Sequence, residues 1–382
     1  MTTDTRPGPL AGFRIIDLTS VIMGPYATSL LADQGAEVIV VEAGDGDSNR
    51  VMGRAAAPGF SDVSLNLMRN KRSVRLDLRT PDGRSAMRKL LAGADAFITT
   101  RRPDSLRRLG LDYETLAPTH PRLVYCQAQG WPTTSSKAND PAYDDIIQAA
   151  TGLVDVMHRY TGEHLFVPSI LVDKTCGVML AQAATAALVH LSRHGDGQHV
   201  EVAMAEAMTQ FLLVEHGSGG IAMPPGDRLG YERILSPERR PYATRDGLVH
   251  VMPYTPAQFA TIFEELGASH LRGDPRLSDL RTTIANTGTL YRDLRPLIGE
   301  RTSEWILDAC RRLDIPASPV VTLAEIAATL PVAEHPKAGP YRVLPHPARF
   351  SATPAGRRGH APSVGADTED VLRELSRERG AS

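Results

Sequence analysis

The sequence predicts an α/β domain with a mainly parallel sheet, followed by a smaller α+β unit, and three observations carry that prediction. Over the first 200 residues, short β-type runs alternate with helical patterns, as in a parallel sheet crossed by helices. Around residues 217–240 the apolar periodicity fails and Gly and Pro accumulate in "GSGGIAMPPGDRLGYERILSPERRP". Beyond that break a hairpin and amphipathic helices follow, and the chain closes with a Pro-rich stretch and one more helix.

The elements follow in order. "FRIIDL" reads as a strand, "GPYATSLLADQG" as a helix closed by Gly35, and "AEVIVVE" as the next strand. "RSVRLDL" is a strand, and "TPDGRSAMRKLLAGA" is a helix with Thr80 as N-cap and Pro81 at its first position. Then come strand "DAFIT", strand "RLVYCQAQG", a helix around "YDDIIQAATGLV", a long helix in residues 169–191 and a late strand "GQHVEVAM". After the break, "YATRDGLVHVMP" reads as a hairpin about Asp246 and Gly247, "TPAQFATIFEELG" and "TSEWILDACRRLD" as helices, and "DTEDVLRELSRE" as the last helix. The expected boundaries are a large domain over 1–215, a linker over 216–240, a small domain over 241–320, and a return segment over 321–382.

At 382 residues the chain exceeds one compact core, and 42% hydrophobic against 23% charged residues places it among soluble globular proteins. A formal net charge of −2 provides no general attraction to nucleic acid or to an anionic membrane, so an anionic ligand must be met by local groups. Cys126, Cys176 and Cys310 lie far apart without a CxxC pair, which suggests neither a disulfide framework nor a zinc site and fits a reducing cytoplasm. "MTTDTRPGPLAG" has no apolar core and is not read as a secretory leader. The apolar stretch from Cys176 to Leu191 is too short to span a bilayer, so no membrane segment is expected.

Several stretches invite a chemical reading. The first strand–helix turn, "LTSVIMGPY", has one glycine where a pyrophosphate cradle needs several, which argues against NAD or FAD. The acidic "EAGDGDSNR" reads as a surface loop. Arg69, Lys71, Arg72, Arg101 and Arg102 recur in two basic runs near strand ends; they form either a solvated face or a holder for anionic phosphates. In "DPAYDDIIQAATGL", Asp144 and Asp145 suit a first helical turn, and Tyr143 either packs or points its hydroxyl into a site. Asp173 is a carboxylate among Ile170, Leu171, Val172, Cys176 and Val178. Placed in a first turn after Pro168 and Ser169 it has a structural reason, and the same setting would keep it ionised and oriented as a nucleophile needs.

"PLAGFRIIDLTSVIMGPYATSLLADQGAEVIVVE", "NKRSVRLDLRTPDGR", "RRLGLDYETL", "PRLVYCQAQG", "PAYDDIIQAATGL", "GDGQHVEVAMAEA" and "RFSATP" together resemble the successive signatures of the class III coenzyme A transferases, a group that includes formyl-CoA transferase, carnitine CoA-transferase and the divergent α-methylacyl-CoA racemase. The likeness runs in order from residue 9 to about residue 375. It implies a large Rossmann-like domain assembled from both chain ends, a small domain between them, and an interlocked homodimer. It places the catalytic aspartate at Asp173, with Tyr143 beside it, and no permanently bound cofactor. Coenzyme A and its acyl thioester are substrates, with a free carboxylic acid as acceptor. The expected contacts with CoA are Arg72 and Arg102, supported by Lys71, together with Ser20 and Val21 of the first loop.

Two alternatives accompany this reading. Racemase chemistry in the family uses a histidine at the head of the "YDxxxQ" segment, and this sequence has Tyr143 there; near pKa 10 an unperturbed tyrosine is a poor acid/base partner, which favours transfer. An inactive CoA-binding partner protein is the other, and retention of Asp173 argues against it. The first loop carries Ser20, Ile22 and Met23 where some members have a glutamine, "ILSPERRPYATRDG" lacks a glycine run, and "TTRRPD" keeps Arg102 and Pro103. This less polar loop suits a larger or more apolar acid than formate or oxalate.

Overall fold

The computed structural model describes residues 6–226 and 228–378. Residues 1–5, in the stretch read as lacking a leader core, residue 227 of the expected linker, and residues 379–382 of the return segment lie outside the described residues.

The chain divides into two compact units, Met1–Thr151 with Val167–Phe211 and Leu330–Ser382, and Gly152–Phe166 with Leu212–Thr329. In the first, β1 (Arg14–Leu18), β2 (Glu37–Glu42), β3 (Lys71–Arg75), β4 (Ala96–Thr99), β5 (Val124–Gln129) and β6 (His199–Ala203) form one sheet in the order 3-2-1-4-5-6, and every pairing is parallel. Ile15, Ile16, Val38, Ile39, Val40 and Val124 are buried, as near-continuous apolar runs covered on both faces must be.

The helices of this unit are α1 (Met23–Asp33), α2 (Pro81–Ala92), α3 (Pro103–Leu109), α4 (Asp144–Ala150) and, beyond the Gly152–Phe166 excursion that holds α5 (Leu153–Thr161), α6 (Leu171–His194). Thr80 caps α2 as expected, accepting from the Gly83 N–H at 3.0 Å. α6 packs on α1, and a Cβ on Gly177 would stand 2.8 Å from the Met23 carbonyl oxygen, so glycine is required for the approach. At 24 residues α6 is longer than the Cys176–Leu191 stretch and long enough to cross a bilayer. Its buried stripe of Val172, Cys176, Leu180, Ala184 and Leu188 identifies it instead as a core helix. α7 (Met204–His216) contains the division at Phe211 and Leu212.

The second unit holds β8 (Leu248–Val251) between β7 (Tyr242–Ala243) and β9 (Ala317–Pro319), all antiparallel, with the helices α8 (Pro256–Glu265), α9 (Thr287–Gly299) and α10 (Ser303–Arg312). Phe259, Phe263, Tyr291, Leu294, Ile306 and Cys310 share its core. α9 escaped the sequence reading because Gly288 and an internal Pro296 mask its periodicity.

The last helix, α11 (Thr368–Glu378), returns to the first unit and places Val371 and Leu375 in the core shared by Ile16, Ile39 and Phe97.

Two expectations are corrected and a third holds in part. The helix around "YDDIIQAATGLV" breaks at Gly152, whose φ of +91° ends α4 and sends α5 into the second unit. The segment read as a linker is part of that unit: Arg159 Nη1 donates to the Leu229 carbonyl at 2.6 Å and the Tyr160 hydroxyl to the Arg239 carbonyl at 2.9 Å. "EAGDGDSNR" is exposed over residues 43–45 and at Ser48, as a surface loop is, but its ends are packed into the core, because the buried Arg50 clamps Glu42 through Nε at 2.7 Å and Nη2 at 2.6 Å.

Candidate active site

At the carboxyl ends of β1 and β4, where the strand order reverses, the first unit opens into a cleft of about 460 Å³. Its walls are residues 18–21 at the end of β1, residues 41–43 with Gly46 and Asp47 at the end of β2, residues 100–102 after β4, residues 129–130 at the end of β5, and residues 140–143 leading into α4. Asp173 lies in the same cleft, in the first turn of α6.

The helix begins without a side-chain cap of its own, since Ile170 at the N-cap offers none. Asp144 supplies the acceptor from another helix: its Oδ2 accepts the Asp173 backbone N–H at 3.0 Å, and its Oδ1 accepts from Gln148 Nε2 at 2.6 Å. Gln148 in turn accepts the Val167 N–H at 2.9 Å, tying the entry to α6 back to α4. Among the described residues the Asp173 carboxylate has no hydrogen-bond partner, although the residue is only 8% exposed. Burial, with the Asp144 carboxylate beside it, pushes the Asp173 carboxyl up to about 6. Such a group is ionised at neutral pH yet more basic than an ordinary carboxylate, which suits attack on a thioester carbonyl.

The cleft also collects cations. Arg101, Arg102 and Arg108 line it, and among the described residues none pairs with a carboxylate. Arg102 Nη1 donates to the Asn139 carbonyl at 2.8 Å. The first loop is pinned from below: Asp17 Oδ1 accepts the Thr19 N–H at 3.0 Å, and the Ser20 N–H donates to Thr100 Oγ1 at 3.1 Å.

Of the residues singled out in the sequence, the structure therefore brings Asp173, Tyr143, Arg102, Ser20 and Val21 to one cleft. Tyr143 is 65% exposed at the start of α4. Lys71 and Arg72 are not among its lining residues, which corrects their expected place. Lys71 is completely buried, with Nζ 3.1 Å from Asp17 Oδ2 and 2.7 Å from Thr28 Oγ1, so its charge balances an internal carboxylate. Arg72 sits at the amino end of β3, away from the cleft, where it pairs with Glu37 at 2.8 Å and Glu374 at 2.7 Å.

Asp144, Asp47 and Arg108 are the residues the sequence reading missed as parts of a site. For Asp144 the i, i+4 spacing to Gln148 was the available signal, since an acid serving only its own helix dipole needs no such partner.

Comparison with known proteins places the chain in a family. The family model described as CoA-transferase family III matches residues 10–368. The succinate–glutarate CoA-transferase of Agrobacterium fabrum is 30% identical over 97% of this chain and 96% of its own, and the acetyl-CoA:oxalate CoA-transferase of Acetobacter aceti is 30% identical over 86% and 85%. The crystal structure of a CAIB/BAIF family protein from Brucella suis superposes with a TM-score of 0.80 at 26% identity, covering 97% of this chain and 100% of that one. An α/β fold with a six-stranded parallel sheet, an ordered set of motifs and a match over nearly the whole length lead to one conclusion: the chain belongs to the CoA-transferase family III and is a transferase.

Proposed function

We propose that the enzyme moves coenzyme A from an acyl-CoA donor to a free carboxylic acid through covalent intermediates on Asp173. The observation that carries this reading is a buried and unusually basic carboxylate, without a partner among the described residues, opening into a cleft whose three arginines likewise have no acidic partner among them. An Asp173 oxygen attacks the thioester carbonyl carbon, the C–S bond breaks, and CoA thiolate leaves an acyl–aspartyl anhydride. The thiolate then attacks the Asp173 carbonyl carbon, releasing the donor acid and leaving an aspartyl–CoA thioester. The acceptor carboxylate displaces the thiolate, which finally takes the acceptor's acyl carbon and restores the Asp173 carboxylate. Each step exchanges one activated acyl bond for another, so the thioester's energy is retained while the acids change places. Arg101, Arg102 and Arg108 are the proposed partners of the nucleotide phosphates, by charge-assisted hydrogen bonds.

Two supports favour transfer over racemisation: Tyr143 stands where the racemase reading requires a histidine, and the relatives described above carry transferase names. An interlocked homodimer belongs to the same proposal, supported by large apolar side chains left open to solvent, among them Val189, Val214, Met223 and Leu323. A cytoplasmic location is supported by three free, buried cysteines. The decisive experiment incubates wild type with acyl-CoA esters and pooled carboxylates, reads CoA exchange by mass spectrometry, and traps the enzyme with hydroxylamine. Transfer with a label on the Asp173 peptide is expected, and transfer with the label elsewhere overturns the mechanism. Sedimentation over a wide dilution range tests the dimer, which a folded monomer at low concentration would contradict.

A further inference from the structure

The first loop, residues 19–21, gives away three successive backbone N–H groups to side chains from three different places. Thr19 donates to Asp17 at 3.0 Å, Ser20 to Thr100 at 3.1 Å, and Val21 to both oxygens of Asp47, at 3.1 and 3.3 Å. Val21 has a φ of +67°. Among the described residues only Asn70 and Asp314 share that region without being glycine. Asn and Asp tolerate left-handed backbone, but a β-branched residue there is an outlier that persists only where its surroundings over-determine it.

Asp47 is itself fixed from the core. Its N–H donates to Glu42 Oε1 at 3.1 Å, and Glu42 is held by Arg50 and by Ser73 Oγ at 2.6 Å. Gly46 before it has a φ of +101°, and a Cβ there would stand 2.7 Å from Arg50 Cδ and from Val364 Cγ2. A buried scaffold thus aims a carboxylate at one strained amide on the cleft wall.

We propose that Asp47 is a positioning residue for CoA transfer: by holding Val21 in the left-handed conformation it fixes the first loop against the CoA-bearing substrate. The inference rests on reading the cleft as the CoA site. Without Asp47, Val21 relaxes toward negative φ, which turns the 20–21 peptide and the Val21 side chain away from the geometry the ligand meets. Glycine adopts positive φ as readily as negative, so Val21→Gly removes the need for the tether.

The test measures CoA binding by titration calorimetry and donor kinetics on the full chain. Asp47→Ala is expected to weaken CoA about tenfold and raise the donor KM in parallel, with kcat changed less than about twofold, because the loop contributes to binding and not to the covalent step. Adding Val21→Gly to Asp47→Ala is expected to recover at least about threefold of that affinity. A merely structural role, capping the Asn49 N–H at 2.9 Å, would lower the melting temperature without rescue by glycine. If the alanine variant does not fold, Asp47→Asn, which keeps one acceptor oxygen, is expected to weaken CoA about two- to fivefold and to improve with Val21→Gly. Unchanged CoA affinity in a folded Asp47 variant, or no gain from the glycine, overturns the role while leaving the cleft reading intact. Wild type that binds no CoA overturns both.

Discussion

The Asp144 carboxylate accepts the backbone N–H of Asp173 across 3.0 Å, so the acid that adds to the effect of burial in raising the Asp173 carboxyl's basicity also fixes the backbone that carries it. One side chain does both because α6 starts without a side-chain cap and Asp144 of α4 supplies the acceptor for the Asp173 amide. Position and reactivity of Asp173 are therefore coupled, and the coupling can be measured.

Asp173→Ala should lose at least ~10³-fold in kcat while folding normally, since among the described residues no other carboxylate in the cleft is both unpaired and buried. Single-turnover assays on the folded variant measure this. A loss of tenfold or less would remove Asp173 from the covalent step.

The acid limb of kcat/KM should fall with an apparent pKa of about 6, because in the proposed mechanism the attacking form is the ionised Asp173. Asp144→Asn keeps an oxygen for the Asp173 N–H and removes the neighbouring charge, so the limb should move to lower pH, though burial still holds it above an ordinary aspartate. A pH–rate profile of both proteins tests this, and an unmoved limb contradicts the pairing.

Stability should run opposite to activity. Folding raises the Asp173 carboxyl from 3.8 to about 6, so the ionised form is penalised only in the folded protein, and stability from this group is lost as pH rises between those values. Above about pH 6 the loss is complete, at up to roughly 3 kcal/mol. Asp173→Asn should therefore be more stable than wild type at neutral pH and indistinguishable near pH 4. Urea midpoints at both pH values give the difference, and a destabilised variant at neutral pH would contradict the sign.

Arginine substitutions should separate by place. Arg102→Ala should raise the donor KM more than it lowers kcat, through lost phosphate contact. Arg72→Ala breaks partly exposed pairs with Glu37 and Glu374 and should cost under about 1 kcal/mol of stability with the donor KM unchanged. A KM effect at Arg72 equal to that at Arg102 would contradict this division.

Lys71→Met should act on the fold itself. It leaves the Asp17 carboxylate, 0% exposed, without its cation, which should cost about 3–5 kcal/mol. A melting temperature equal to wild type would show that Asp17 is compensated in another way.

Much of this was written locally in the chain. The alternation of "FRIIDL", "AEVIVVE" and "RSVRLDL" with helical segments fixed a parallel sheet, because strands buried on both faces must be continuously apolar. Thr80 and Pro81 marked a helix start through backbone requirements that involve only neighbours. Asp173 stood out because a carboxylate among apolar residues needs a reason.

Tertiary structure alone decided which charges were available for chemistry. Lys71 and Arg72 adjoin in sequence, yet one is buried against Asp17 and the other paired with Glu374, 302 residues away, while Arg102 opens into the cleft. The tether of Val21 by Asp47, 26 residues on, and of Asp173 by Asp144, 29 residues before it, likewise joins elements whose separation no local pattern encodes. Periodicity reports which face of an element is buried; the partner of a charge depends on where the sheet order places distant strands, and that geometry is set only when the core closes.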